Sequence, residues 1–243
     1  LNGLFRQAYK NGIIQKNPVE RSTLPKLRED AERRVMTREE QALFMQYAKQ
    51  TYYGDIFEVA LSTGMRKGEL LALEWSDIDF NNRMIHVTGT LIRVNSRYVK
   101  GTPKSKTSRR DIPMLDNVYA ILRRRRRELL ELKVKLGDKW MPLDGLDNLV
   151  FTNEFGSAVT LNTVQYYMRH IQDMIRRDGV EFEPIHIHTL RHTFATRAIE
   201  AGMQPQVLKT ILGHSSLTMT MDLYSHVLPD TKTEEMQKIA NLF

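Results

Sequence analysis

Residues 185–226 read IHIHTLRHTFATRAIEAGMQPQVLKTILGHSSLTMTMDLYSH. Residues 189–201 form a helical pattern closed by Gly202 in C-cap position. Pro205 opens the next helix, which stops at Gly213, and a short helix from about Ser216 carries Tyr224. Three helices in a row set the fold class as mainly helical. They also order its chemistry. His188 and Arg191 stand three apart and can share a helix face. A guanidinium suits a phosphate because its planar fork donates paired hydrogen bonds. The imidazoles of His188 and His214 can move protons near neutral pH. A tyrosine oxygen can serve as a covalent nucleophile. The combination points to phosphate chemistry through a tyrosine.

Outward from this stretch, helices frame a small sheet. Residues 1–11 read as a helix ended by Gly12, and 19–34 as a charged linker containing Pro25. Thr37 and Glu40 make a capping box for a helix to about Gln50. Residues 53–72 continue helical with a break near Gly64. Alternation over 83–98, then Tyr98-Val99 and Arg110–Met114, predicts a small antiparallel three-stranded sheet, with 101–109 as a turn. A long helix spans 115–136 and carries Arg123 to Arg127. At about 100° per residue these five arginines surround the helix, so most are assigned to a solvated flank and some lie beside the core. Residues 137–148 read as a loop, Leu149–Phe151 as a short strand, and 161–177 as a helix capped by Thr160 or Asn162. The tail 231–243 is a last helix with Met236, Ile239, Ala240 and Phe243 on one stripe. The fold class is therefore α+β, mainly helical.

The chain has 243 residues and no cysteine, which removes disulfides, thiolate metal sites and cysteine nucleophiles. With 41% hydrophobic residues it can bury a sizeable core. No apolar run approaches the roughly 20 residues that span a bilayer, so no membrane partner is expected. The first residue is Leu1, which implies a start inside a longer protein. A net charge of +7 favours a polyanionic partner. Basic and aromatic residues do not interleave as in single-strand binders, so a nucleic-acid partner would be a duplex gripped by its phosphates.

Taken singly, each candidate has an ordinary structural alternative. Arg66, after the Thr63-Gly64 corner, could be a surface arginine that opens a helix, with Glu69 orienting a basic neighbour. Lys104 in PKSKTSRR could simply be solvated, and Lys100 and Lys106 compete for its role. His188 could be a core histidine, with His186 and His192 as rivals. His214 could cap a helix, and Tyr224 could be a buried structural tyrosine.

Taken in order, TGMRKGE, PKSKTSRR, HTLRHTFAT, LGHSS and DLYSHV resemble the active-site set of the tyrosine recombinases, the phage integrase family. The likeness runs from about residue 35 to 230, with a flavour of integrases from Gram-positive conjugative transposons and phages. It implies a catalytic domain over 35–230, a core-binding-domain helix over 1–18, the linker 19–34, and a tail helix that docks in trans, with docking on its own core as the alternative. It implies that Arg66 and Arg191 clamp the scissile phosphate and that Lys104 protonates the leaving 5′ oxygen. His188 would assist proton transfer, His214 would hydrogen-bond the phosphate, and Tyr224 would form a 3′-phosphotyrosine. Glu69 would support the clamp. No metal or nucleotide cofactor is expected. Double-stranded DNA sites, a homo-oligomer that is tetrameric in the synapse, and accessory bending or excision factors are the implied partners, in a bacterial cytoplasm. Thr189 stands where an aspartate is frequent, and Ser105 where a threonine is common. Rival readings are a type IB topoisomerase or telomere resolvase with the same chemistry, a metal-free ribonuclease, or a helix-turn-helix-like reader without catalysis.

Overall fold

The computed structural model describes residues 2–20, 22, 34–102 and 109–227, apart from the side chains of residues 225 and 226. The expected tail helix, most of the linker and Lys104 lie outside the described residues. The chain divides into two units, Leu1–Arg33 and Arg34–Phe243. In the first, helix α1 (Asn2–Lys10) is followed by Gly12 and a turn in which Asn17 Nδ2 donates to Asn2 Oδ1 at 3.0 Å.

The second unit begins with α2 (Arg38–Ala48), and its start is the expected capping box. Thr37 Oγ1 accepts from the Glu40 backbone N–H at 3.1 Å, and Glu40 Oε2 accepts from Thr37 N–H at 2.8 Å. Helices α3 (Gly54–Thr63) and α4 (Lys67–Leu71) are separated by the corner at Gly64. Five strands follow: β1 (Ile78–Asp79), β2 (Met84–Val87), β3 (Thr90–Val94), β4 (Arg97–Gly101) and β5 (Arg110–Pro113). The three-stranded antiparallel sheet is present, but its members differ from expectation. It runs β1-β2-β5, while among the described residues β3 and β4 pair with each other as a hairpin. The run 83–98 is two strands because pairing stops at Thr88 and Gly89.

Helix α5 (Asp116–Leu136) places only Arg125 of its five arginines in the core. There Arg125 donates to Val150 O at 2.7 Å and stacks 5.0 Å from the Phe151 ring centre. Residues 149–151 are not a strand. They are buried chain held by the bridge Glu74–Leu149, by Val150 N–H donating to Leu73 O at 2.8 Å, and by Arg125. Helix α6 (Leu161–Arg177) is capped by Thr160, whose Oγ1 accepts from Thr163 N–H at 3.1 Å. Then come α7 (Ile187–Glu200), α8 (Pro205–Leu212) and α9 (Thr218–Val227).

Helix α7 decides where the site lies. It starts two residues earlier than expected, so the strand-like alternation of 185–188 is helix entry, with His186 as N-cap. Nine of its fourteen residues are buried, so it has no solvent stripe of its own. Ile187 and Leu190 belong to the main core with α2 to α6 and the sheet. Ala195, Ala198 and Ile199 belong to a smaller cluster with Leu208, Leu212 and Leu223 of α8 and α9. Thr193 Oγ1 accepts from Met36 N–H at 3.1 Å, and so ties the start of the unit to this central helix. Among the described residues no helix is long and apolar enough to cross a membrane.

Candidate active site

The C-terminus of α8 organises the site. A helix end leaves its last carbonyls without intrahelical partners. Here Gly213 takes the left-handed conformation (φ 65°), and a Schellman motif closes the helix: Gly213 N–H donates to Thr210 O and His214 N–H to Lys209 O, both at 3.1 Å. The next three carbonyls each receive a different arginine. Arg110 Nε donates to Ile211 O at 2.5 Å, Arg191 Nη2 to Leu212 O at 2.7 Å, and Arg66 Nη2 to Gly213 O at 2.7 Å. The negative end of the helix dipole thus seats three guanidiniums. They come from β5, α7 and the N-cap of α4.

The second anchors differ. Arg191 Nη1 donates to Gly64 O at 2.6 Å, at the αL corner that ends α3. Glu69 lies between the other two arginines. Arg66 Nη1 reaches Glu69 Oε1 at 2.8 Å, and the Arg66 backbone N–H reaches Oε2 at 2.9 Å. Arg110 grips the same carboxylate with both ends of its fork, at 3.0 and 2.8 Å. Among the described residues, three guanidiniums face one carboxylate, an excess of two positive charges. Arg110 and Glu69 are nearly sealed, with side chains 2% and 6% exposed, whereas Arg66 is 36% exposed. Of the two arginines on Glu69, Arg66 is therefore the one open to a ligand. Burial, then the charges of Arg66 and Arg110, push the Arg191 guanidinium down to about 9, against the pull of Glu69. It stays charged at neutral pH. Burial works to raise the Glu69 carboxyl, but the Arg110 bonds overcome it and hold it below the usual range.

His188 is exposed on the first turn of α7. Burial of part of its ring, then the charges of Lys67, Arg191 and Arg66, lower its pKa, so it is neutral and able to accept a proton at pH 7. It also lines a groove of about 520 Å³ with Lys67, Arg169 and Arg176. His214 is buried, and its Nδ1 shares a hydrogen bond with Thr220 Oγ1 at 2.9 Å. This links the end of α8 to α9, the helix that carries Tyr224. Thr189, where an aspartate was frequent in the resemblance, accepts from the His186 N–H at 3.1 Å and steadies the entry to α7.

Tyr224 is not drawn into the cluster. Its ring packs on the small α7–α8–α9 core, and its buried hydroxyl has no hydrogen-bond partner among the described residues. Burial raises its pKa, so the phenol holds its proton at neutral pH. Lys104 lies outside the described residues. Its rival Lys100 is engaged, with Nζ 2.7 Å from Glu74 Oε2 and 2.8 Å from Asp77 Oδ2. Arg110 was missed as a site residue. Strand parity carried the signal: Arg110 shares the inward face with Ile112, opposite Val87. An inward arginine at a strand start needs a buried partner.

The phage integrase family model matches residues 33–230, over which all of these side chains fall. The chain belongs to the phage integrase family. It is 28% identical to a XerC-like tyrosine recombinase of Caldanaerobacter subterraneus subsp. tengcongensis, covering 100% of this chain and 64% of that protein. It is 29% identical to the transposase of transposon Tn916 from Enterococcus faecalis, covering 98% of this chain and 59% of that protein. Among solved structures, the Tn1549 transposon integrase in complex with transposon right end DNA superposes with a TM-score of 0.79 at 29% identity, over 98% of this chain and 76% of that one. The chain therefore spans only 59–64% of the length of these curated relatives.

Proposed function

We propose that this chain is the catalytic part of a site-specific recombinase that cleaves and rejoins duplex DNA, integrating or excising a mobile element. The observation that carries the reading is the seating of Arg66 and Arg191 side by side on the end of α8, where the described residues hold two more positive charges than negative. A phosphodiester gains negative charge on its non-bridging oxygens as it is attacked, and preorganised cations lower that barrier. Arg66 and Arg191 clamp those oxygens, with His214 as a further donor. The Tyr224 oxygen attacks phosphorus, the bond to the 5′ oxygen breaks, and a 3′-phosphotyrosine forms. The tyrosine proton passes to His188, and Lys104 supplies a proton to the departing 5′ oxygen. The covalent link stores the bond energy, so a new 5′ hydroxyl can reverse the step without a nucleotide cofactor.

The buried, unpaired seat of Tyr224 supports a site that completes itself only on DNA. The functional assembly in this reading is a tetramer of copies in the synapse, in a bacterial cytoplasm, with accessory bending or excision factors. Residues 1–18 are the end of a core-binding domain, and 231–243 dock on a neighbouring copy. An apolar groove of about 450 Å³, lined by Leu61, Ile112, Phe194 and Met203, supports a receptor for the apolar stripe of that tail. Deleting 231–243 should weaken DNA-dependent oligomers, and an unchanged assembly would sink the docking. The chemistry is tested by incubation with a nicked attachment site. The native chain should become covalently attached to DNA and Tyr224→Phe should not. No adduct on a cognate site would leave a reader without catalysis. Relaxation of supercoils without joining of paired sites would favour a topoisomerase.

A further inference from the structure

We propose that Arg110 is a positioning residue for the clamp, whose work is to neutralise Glu69 so that Arg66 and Arg191 present their charge to the scissile phosphate. The inference rests on the reading above. Glu69 is needed locally, because it fixes both the backbone and the guanidinium of Arg66. It is also a liability, because a buried carboxylate beside a phosphate site repels the charge that the site must attract. Arg110 resolves the conflict. Its fork takes both oxygens of Glu69, the same two that Arg66 uses, and its Nε takes Ile211 O, next to the carbonyls that seat Arg191 and Arg66. One nearly sealed residue therefore sets the charge balance and the spacing of the two clamp arginines. Arg110 itself is too enclosed to reach a bound phosphate.

A purely structural arginine and a charge-balancing one differ in a measurable way. The whole chain is assayed for single-turnover cleavage on two nicked duplexes, one with the native scissile phosphate and one with an uncharged methylphosphonate there. Arg110→Met should lower the rate about 10- to 100-fold on the phosphate, as supporting groups one step from the charge do. On the methylphosphonate the loss should be several-fold smaller. Glu69→Gln removes the charge that Arg110 opposes, so in that background Arg110→Met should cost little. Arg110→Lys, which keeps the charge without the fork, should recover part of the loss. Melting curves accompany each variant. If Arg110→Met alone unfolds, the Glu69→Gln/Arg110→Met double, with both buried charges removed, carries the comparison against Glu69→Gln. Equal losses on both substrates, or an undiminished loss in the Glu69→Gln background, would overturn the proposal and leave the recombinase reading standing. A wild type that makes no Tyr224-dependent adduct would overturn both.

Discussion

Gly213 and Gly202 end neighbouring helices in the same left-handed conformation, φ 65° and 80°, and differ in what surrounds them. A Cβ at Gly202 meets nothing within 4 Å, whereas one at Gly213 comes to 3.0 Å of Arg110 Nη1 and 3.2 Å of its Cδ. Alanine at either position pays the left-handed backbone cost, about 1–2 kcal/mol. At Gly213 the Arg110 guanidinium must also shift by a few tenths of an ångström. Its bond from Nη1 to Glu69 Oε1 already measures 3.0 Å, so that shift takes it to the edge of hydrogen-bond range. A weakened charge-assisted bond adds about 1–2 kcal/mol. Gly213→Ala should therefore melt roughly 2–8 °C below Gly202→Ala, taking about 2–4 °C per kcal/mol for a chain of this size. Differential scanning calorimetry measures the first effect. Cleavage of a nicked duplex measures the second, because only Gly213→Ala disturbs the seat of Arg66 and Arg191. If the two variants melt together and cleave alike, the carbonyls at the end of α8 do not organise the clamp.

Three further outcomes follow from the same geometry. Lys100→Ala strands Asp77 and Glu74 and should cost about 1–3 kcal/mol at neutral pH with cleavage per folded molecule intact; a selective loss of cleavage would make Lys100 the general acid in place of Lys104. The Lys100 pKa is raised, because its two carboxylates outweigh its burial, so this contribution is full at pH 7 and should fade only as pH climbs past 10.5, which denaturation series across pH would show. The depressed pKa of His188 predicts an acid limb of the cleavage rate below 6.5, and removing a like charge with Lys67→Gln should move that limb upward; a limb that stays in place would remove His188 as the proton acceptor.

What was legible in the sequence was local chemistry. The Thr37 and Thr160 caps and the glycine ends of α3 and α8 are each written within four residues and formed where the spacing placed them, while α7 takes Ala201 as its C-cap, one residue before Gly202. The five-arginine run behaved as helical geometry requires, one residue in and the rest out. Elements that depend on distant partners were harder. β1 has two residues, too few to alternate. The apolar run 149–151 looked like a strand because burial and pairing leave the same composition. Glu69 was legible as a support for a neighbour three residues away. Arg110 was not, because its partner is 41 positions distant and the two meet only through the fold.

The split of the unit into a large and a small apolar cluster has a mechanical consequence. Arg66 and Arg191 are fastened to the main body through Gly64, Glu69 and the α8 carbonyls. Among the described residues, helix α9 contributes one buried leucine, Leu223, with half-buried Tyr224 and Val227, to the smaller cluster, and its buried Thr220 bonds His214. Burying one leucine is worth about 1.5–3 kcal/mol, so α9 can lift at a small fraction of the cost of unfolding. In the proposed reading the holder of the electrophile and the carrier of the nucleophile meet at α8, whose end carbonyls seat the two arginines and whose Leu208 and Leu212 pack with α9. In the proposed recombinase, lifting α9 carries Tyr224 in and out of reach, as a detachable tool, while Gly64 and Glu69 keep Arg191 and Arg66 in place.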